Sequence, residues 1–253
     1  MAAKRNSPSI TSKGSDFMEA SAARKNLSPV CETAAAPEIL QAGIDAAAGP
    51  VALACSFSVE DVVLIDVIHR HALPVEIFAI DTGRLNEETY EVADAVIERY
   101  GMKIDWYFPD RQAVETLERD KGLFSFRESL ENRRECCAIR KVEPLQRALS
   151  GLSGWVTGLR REQSVTRSDL APLEIDQNNG GQVKINPLLN WTEKEVWDYA
   201  ETHRVPVNRL HRQGYPSIGC APCTRAVEKG EHPRAGRWWW ENAEHKECGL
   251  HRR

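Results

Sequence analysis

Two pairs of cysteines carry the strongest chemical signal in this chain, Cys136-Cys137 and Cys220-Ala-Pro-Cys223. Four thiolates can close around one centre, and such sets suit either a structural zinc ion or an iron-sulfur cluster. Spacing alone leaves both open. Adjacent cysteines are an awkward donor pair for one tetrahedral ion, because neighbouring side chains on a helix point in different directions, whereas a cubane offers separate irons to separate ligands. The donor pattern therefore favours the cluster over zinc, and either over four unrelated buried thiols. A fifth cysteine, Cys248, stands among His245, Lys246, His251, Arg252 and Arg253. Cationic neighbours raise the thiolate fraction, the nucleophilic form, although composition alone reads the stretch as a disordered tail with an incidental thiol. Cys31 and Cys55 match no ligand position and read as bystanders.

Anion chemistry is the second signal. In Ser56-Phe-Ser-Val-Glu-Asp61, Ser58 and Asp61 form a capping-box pattern. That places Ser56, Ser58 and the following amides at a strand-to-helix turn, where the helix dipole favours an anion; the same serines could simply cap the helix. Lys141, Arg160, Arg161, Arg234 and Arg237 could supply the cations that an anionic substrate needs. Each alone reads more simply as a solvated surface charge, but Arg234 and Arg237 lie beside Gly236 in a loop ahead of the tail. Trp238-Trp239-Trp240 suggests a base-stacking platform, and packing of the tail against the body is the plainer expectation.

These groups need a scaffold. Val51–Cys55 and Val75–Ile80 are short, apolar runs, as strands covered on both faces should be, with Ile104–Phe108 a third candidate. Helical stretches precede and separate them at Pro37–Ala48, Val59–Ala72 and Glu87–Tyr100. The order of strand, helix, strand, helix, strand predicts an α/β fold with a doubly wound, mainly parallel sheet. Ligands of such sheets bind beyond the carboxyl ends of strands, which directs attention to Ser56–Asp61 and to Asp81-Thr-Gly-Arg-Leu-Asn86. A fourth strand fits Trp155–Gly158, and Asn178-Asn-Gly-Gly181 predicts a hairpin between Leu173–Asp176 and Val183–Ile185. Thr192 and Glu195 form a capping box ahead of a further helix ending before Pro206. Beyond about Val205 the chain reads mostly as loop.

Composition bounds the rest. A formal charge of −4 gives no global field for a polyanion, so nucleic acid is not an expected partner. No apolar stretch approaches the roughly 18 residues that cross a bilayer, and the first thirty residues contain no secretory apolar core. No membrane association is expected, and a reducing compartment, the cytoplasm, is. There clustered thiols bind metal or do chemistry more often than they form disulfides.

Several segments together resemble the assimilatory adenylyl-sulfate reductases of the phosphoadenosine phosphosulfate reductase family. They are Cys-Cys-Ala-Ile-Arg-Lys at 136–141, Gly-Leu-Arg-Arg-Glu-Gln-Ser at 158–164 with Arg167 beyond, Gly219-Cys-Ala-Pro-Cys-Thr224 and Glu247-Cys-Gly-Leu-His251. The resemblance covers about residues 40–253. It implies an adenine nucleotide alpha hydrolase-like fold and one four-iron four-sulfur (4Fe-4S) cluster on Cys136, Cys137, Cys220 and Cys223. The substrate it implies is adenosine 5′-phosphosulfate, reduced to sulfite and AMP in sulfate assimilation. Cys248 is implied as the nucleophile that takes up a sulfonate, released as sulfite by thioredoxin or a similar dithiol donor. Lys141, Arg234, Arg237 and His251 would contact the phosphosulfate, with Arg160 and Arg161 as further cations. Asp81, Thr82, Gly83 and Leu85 would hold adenine and ribose. The Ser56–Asp61 loop resembles an altered form of the Ser-Gly-Gly-x-Asp-Ser phosphate loop of ATP-using relatives, which counts against ATP cleavage. No thioredoxin-type Cys-x-x-Cys domain follows, so a separate electron donor is expected.

The implied organisation is a disordered segment over 1–34, a reductase domain with the cluster over 35–230, and a mobile C-terminal segment over 231–253 carrying Cys248. Three other readings compete: a reductase of the 3′-phosphorylated nucleotide, a non-catalytic zinc-binding module, and an ATP-dependent sulfur-transfer enzyme acting on RNA, disfavoured by the altered loop. A homo-oligomer is left open.

Overall fold

The computed structural model describes residues 33–163 and 170–241. Its centre is a six-stranded sheet of β1 (Val51–Cys55), β2 (Glu76–Ile80), β3 (Asp105–Tyr107), β4 (Gly154–Val156), β5 (Leu173–Asp176) and β6 (Gln182–Ile185), in the order β3-β2-β1-β4-β6-β5. All neighbours are parallel except β5 and β6, the predicted hairpin, which pairs Leu173 with Ile185 and Asp176 with Gln182.

Alternation along the strands assigns the two faces. Val51, Leu53 and Cys55 of β1, Ile77 and Ala79 of β2 and Val156 of β4 enter one large core. Ala52, Phe78 and Trp155, their neighbours in sequence, enter a smaller core on the other face. The larger face is covered by α1 (Ala36–Ala47), α2 (Val59–Arg70), α3 (Glu87–Tyr100) and α7 (Glu193–Thr202). α2 is buried along nearly its whole length, from Val59 to Ile68, because helices pack around it as well as the sheet. The smaller face is closed by α6 (Glu143–Leu149) through Leu145, Ala148 and Leu149. Between β3 and α6 lie α4 (Arg111–Lys121) and α5 (Leu130–Cys137), the latter running into a π-helical turn at Ala138–Val142.

Local signals account for most boundaries. Gly101, with φ of 63°, ends α3, and Thr192 and Glu195 close the expected capping box on α7. α2 stops at Arg70, two residues short of the expected end. The fourth strand stops at Val156 rather than Gly158. Thr157 N–H makes the last ladder bond, to Ile185 O, while its hydroxyl donates to Asn186 Oδ1, and the chain then turns toward the ligand-binding edge.

Residues 231–241 fold back on the body. Thr224 and Arg237 form an isolated antiparallel bridge, and Trp238 is fully buried between the guanidinium groups of Arg133 and Arg237, at 4.6 and 4.7 Å. Trp240 packs against Phe126, while Trp239 stays partly exposed. The tryptophan run is thus mainly packing. Among the described residues no helix is long and apolar enough to cross a membrane.

Candidate active site

The chain runs from β1 outward to β2 and β3, then returns to β4 on the other side of β1, so the sheet reverses direction between β1 and β4. Ligands of open α/β sheets bind outside the carboxyl ends of strands at such a point. A cavity of about 390 Å³ lies there, within the range of small-molecule sites. Ser56, Ser58, Thr82, Leu85, Lys141, Arg160, Cys220, Arg234 and Arg237 all line it.

One wall is the turn from β1 into α2. Ser58 is the N-cap of α2, but its side chain makes no capping bond. In place of a full Ser58–Asp61 box, Ser56 donates both its N–H and its hydroxyl to Asp61 Oδ2, at 2.6 and 2.7 Å, and the Ser58 side chain also bonds the Asp61 carboxylate. Phe57 takes a left-handed φ of 59° and stacks on Trp106, a strained conformation that lets the chain double back here. Burial pushes the Asp61 carboxyl up to about 6, against the pull of the Ser56 donors. Glu60 beside it accepts from Arg160 Nε at 3.0 Å and from Gln163 Nε2 at 2.9 Å.

That pairing revises the expected role of two arginines. Arg160 lines the cavity, but its charge is met by Glu60 in an ion pair with side chains 7% and 8% exposed. Arg161 does not line it; it turns to Asn190 Oδ1 and to the Leu170 carbonyl. Successive residues of an extended segment face opposite ways, and Arg161 opens the 3₁₀ turn Arg161–Gln163, so the two adjacent arginines part company here.

The opposite wall joins the turn after β2 to the cysteine segments. Asp81 and Gly83 do not line the cavity; Asp81 accepts from Gly83 N–H and from the Tyr90 hydroxyl and so holds the turn in shape. Thr82 and Leu85 face inward. Arg140 donates to Thr82 O at 2.7 Å, and Glu118 accepts from both Arg140 and Arg84. Thr82 Oγ1 lies 3.3 Å from Cys220 Sγ, and Ala221 N–H donates to Arg84 O. This mesh fixes the β2 turn to the 3₁₀ turn at Ala221–Cys223.

Cys136 and Cys223 share one apolar cluster with Leu117, Phe126 and Trp240, and Cys220 is buried at the cavity wall. Cys137, next to Cys136 on α5, is less buried, as adjacent positions on a helix should be. The thiols lie within electrostatic reach of one another. Cys223 feels Cys220 and Cys137 and, mainly through burial, is pushed up to about 12. Burial also raises Cys220, but Lys141, Thr82, Arg237 and Arg140 together hold it below the usual thiol value. Among the described residues no three His, Cys, Asp or Glu side chains converge as for one metal ion.

Arg237 closes the site from the C-terminal side. It is buried, stacked on Trp238, and donates to Ile218 O at 3.2 Å. A Cβ at Gly219 would run into its guanidinium, so glycine is required where Arg237 crosses. Arg133 and Glu241 form a buried ion pair that holds the last described residue against α5. Cys248 and His251 lie outside the described residues.

Several residues that line the cavity or brace its walls were given no individual role from the sequence. Thr157, Gly158 and Leu159 follow β4 and were within reach of the switch-point rule once β4 is set beside β1. Glu60, Gln163, Arg84, Arg140 and Glu118 act through partners distant in the sequence, for which no local signal exists.

The profile of the phosphoadenosine phosphosulfate reductase domain matches residues 50–226. The chain is 55% identical over 203 residues to an adenosine 5′-phosphosulfate reductase of Allochromatium vinosum, covering 80% of this chain and 79% of that protein. It is 46% identical over 245 residues to a chloroplastic 5′-adenylylsulfate reductase of Arabidopsis thaliana, covering 94% of this chain and 51% of that one. A crystal structure of a phosphoadenylyl-sulfate reductase from Candida auris, a phosphate complex, superposes with a TM-score of 0.65 at 27% identity, over 88% of this chain and all of that one. With matches of this extent, the chain belongs to the phosphoadenosine phosphosulfate reductase domain family.

Proposed function

We propose that this chain reduces adenosine 5′-phosphosulfate to sulfite and AMP, with Cys248 as the nucleophile and thioredoxin or a similar dithiol as electron donor. The observation that carries this reading is the cavity wall on which Lys141, Arg234 and Arg237 meet beside Cys220. A phosphosulfate entering there meets cations placed for the charge that develops on the departing phosphate. Ser56 and Ser58 face its phosphate end, and Thr82 and Leu85 border the nucleoside.

In the reaction the Cys248 thiolate attacks the sulfur. The sulfur–oxygen bond to phosphate breaks, and AMP departs with the electron pair. One thiolate of the donor then attacks Cys248 Sγ, sulfite leaves with the pair from the sulfur–sulfur bond, and the second donor thiol resolves the mixed disulfide. His251 joins Lys141, Arg234 and Arg237 at the phosphosulfate, and Arg160, neutralised by Glu60, holds the floor of the site.

Cys136, Cys137, Cys220 and Cys223 are proposed to hold one 4Fe-4S cluster. Four thiols in two segments that meet at one wall can each serve one iron, and Lys141, Arg140, Arg84 and Arg237 offset the charge of four thiolates. When bound, such a cluster ties the two cysteine segments together and places a fixed charge beside the phosphosulfate wall.

Incubating anaerobically purified protein with adenosine 5′-phosphosulfate and no reductant should add the mass of one sulfonate to the peptide containing Cys248. Reduced thioredoxin should remove it. Added mass on Cys31 or Cys55 instead would refute the assignment.

A further inference from the structure

Two parts of the chain meet where residues 237–241 fold back on the body: α5, which carries Cys136 and Cys137, and the stretch from Arg237 to Glu241, from which the sequence runs on to Cys248. We infer that Arg133 is a positioning residue for the nucleophile: its two-bond grip on Glu241 sets the root of the Cys248 segment, and through Trp238 it sets the guanidinium of Arg237 as well. The inference rests on the reading of Cys248 as the residue that takes up the sulfonate, and adds how the fold aims it.

The geometry supports it at three points. Arg133 Nε and Nη2 donate to the two oxygens of Glu241 at 2.7 and 2.9 Å, with side chains 3% and 8% exposed. A buried pair repays little beyond its own desolvation, whereas two parallel bonds fix one mutual orientation, so register is what this pair contributes. Trp238, between the guanidinium groups of Arg133 and Arg237, takes a left-handed φ of 41°, a strained conformation that persists only where the surroundings enforce it. The bend lies between Arg237, which lines the cavity, and Glu241, which Arg133 holds. Finally, Trp238 N–H donates to Cys223 O at 3.1 Å and Glu241 N–H to Trp238 O at 2.9 Å, so the root is tied to both cysteine segments. Cys248 follows Glu241 by seven positions, at most about 25 Å of chain. Over so short a tether a shift at the root reaches the attacking sulfur, and a misplacement of about 1 Å can slow a reaction about a hundredfold.

The test uses anaerobically purified full-length wild type, Glu241→Gln, and the double variant Arg133→Met with Glu241→Leu. The single change keeps the size of the side chain and removes its charge. The double change replaces the pair by apolar side chains of similar volume, which folds tolerate, but supplies no directional bonds. Sulfonation of Cys248 by saturating adenosine 5′-phosphosulfate without reductant, followed by mass spectrometry, should be at least tenfold slower in both variants. AMP has no sulfate to meet Arg237, so its affinity by calorimetry should stay within threefold of wild type. Alkylation of Cys248 by iodoacetamide without nucleotide should also proceed at the wild-type rate. Sulfonation of the double variant within threefold of wild type would make the pair merely structural and overturn the inference. So would a loss of AMP affinity as large as the loss of sulfonation rate. Wild-type protein left unsulfonated at Cys248 would instead refute the proposed reaction itself.

Discussion

The two walls of the cavity treat charge in opposite ways. On the β1–α2 side every acid is met from within the wall: Glu60 by Arg160 and Gln163, and Asp61 by the Ser56 donors. On the cysteine side Arg84 and Arg140 share the single carboxylate of Glu118, and Lys141, Arg234 and Arg237 add further cations. A wall that satisfies itself makes a rigid floor. A wall rich in cations suits an anionic ligand or a set of thiolates. Substitutions on the first side should therefore act on stability, and those on the second on turnover.

The contrast is broken most severely at Glu60. Glu60→Ala leaves the buried Arg160 guanidinium only the longer, largely exposed contact with Glu162 at 3.4 Å, and the loss of one partner of a buried pair costs about 3–5 kcal/mol. Chemical denaturation should show that loss; a change below about 1 kcal/mol would mean that the floor is not held by this pair. On the other wall, Arg237→Ala should lower kcat/KM more than tenfold with a smaller stability loss, by analogy with oxyanion donors worth roughly 2.7–4 kcal/mol. A change under threefold would remove Arg237 from the phosphosulfate site.

Asp61 sharpens the comparison through pH. Its folded-state value of about 6 lies above the ordinary carboxyl value of 3.8, so its ionised form weakens the fold. The penalty is full above about pH 6, fades as pH falls, and is gone below about pH 4. Asp61→Asn should accordingly be more stable than wild type at pH 8, by up to about 3 kcal/mol, with the two curves converging toward pH 4. A constant difference across that range would contradict the assignment. Thr192→Ala, whose side chain does not line the cavity, should cost only about 1 kcal/mol of stability through the lost cap on α7, with a change in kcat/KM below twofold.

What the sequence made legible divides along the same line. The buried strands and the hairpin could be placed from apolar runs and Asn-Gly-Gly alone, since parallel strands covered on both faces leave a local mark. The capping box at Thr192 was equally local. Ser58 and Asp61 have the same spacing and do touch, yet Asp61 also takes both Ser56 donors, because a left-handed Phe57 brings the strand end within reach; spacing does not encode that. Arg160 and Arg161 look alike in sequence and differ in space only because Glu60, a hundred residues earlier, waits on one side. The cysteine segments were found from residue type, but their meeting depends on Arg140 and Glu118 pinning the β2 turn.

The central claim is that this cavity reduces adenosine 5′-phosphosulfate through Cys248. The most direct measurement is sulfite release by anaerobically purified protein supplied with that nucleotide or with its 3′-phosphorylated form, with and without reduced thioredoxin, beside the Cys248→Ser variant. Stoichiometric sulfonation without thioredoxin, continuous sulfite release with it, a clear preference for the nucleotide lacking the 3′-phosphate and no release by the variant are the expected results. Sulfite release by Cys248→Ser at the wild-type rate, or turnover confined to the 3′-phosphorylated nucleotide, would contradict the account.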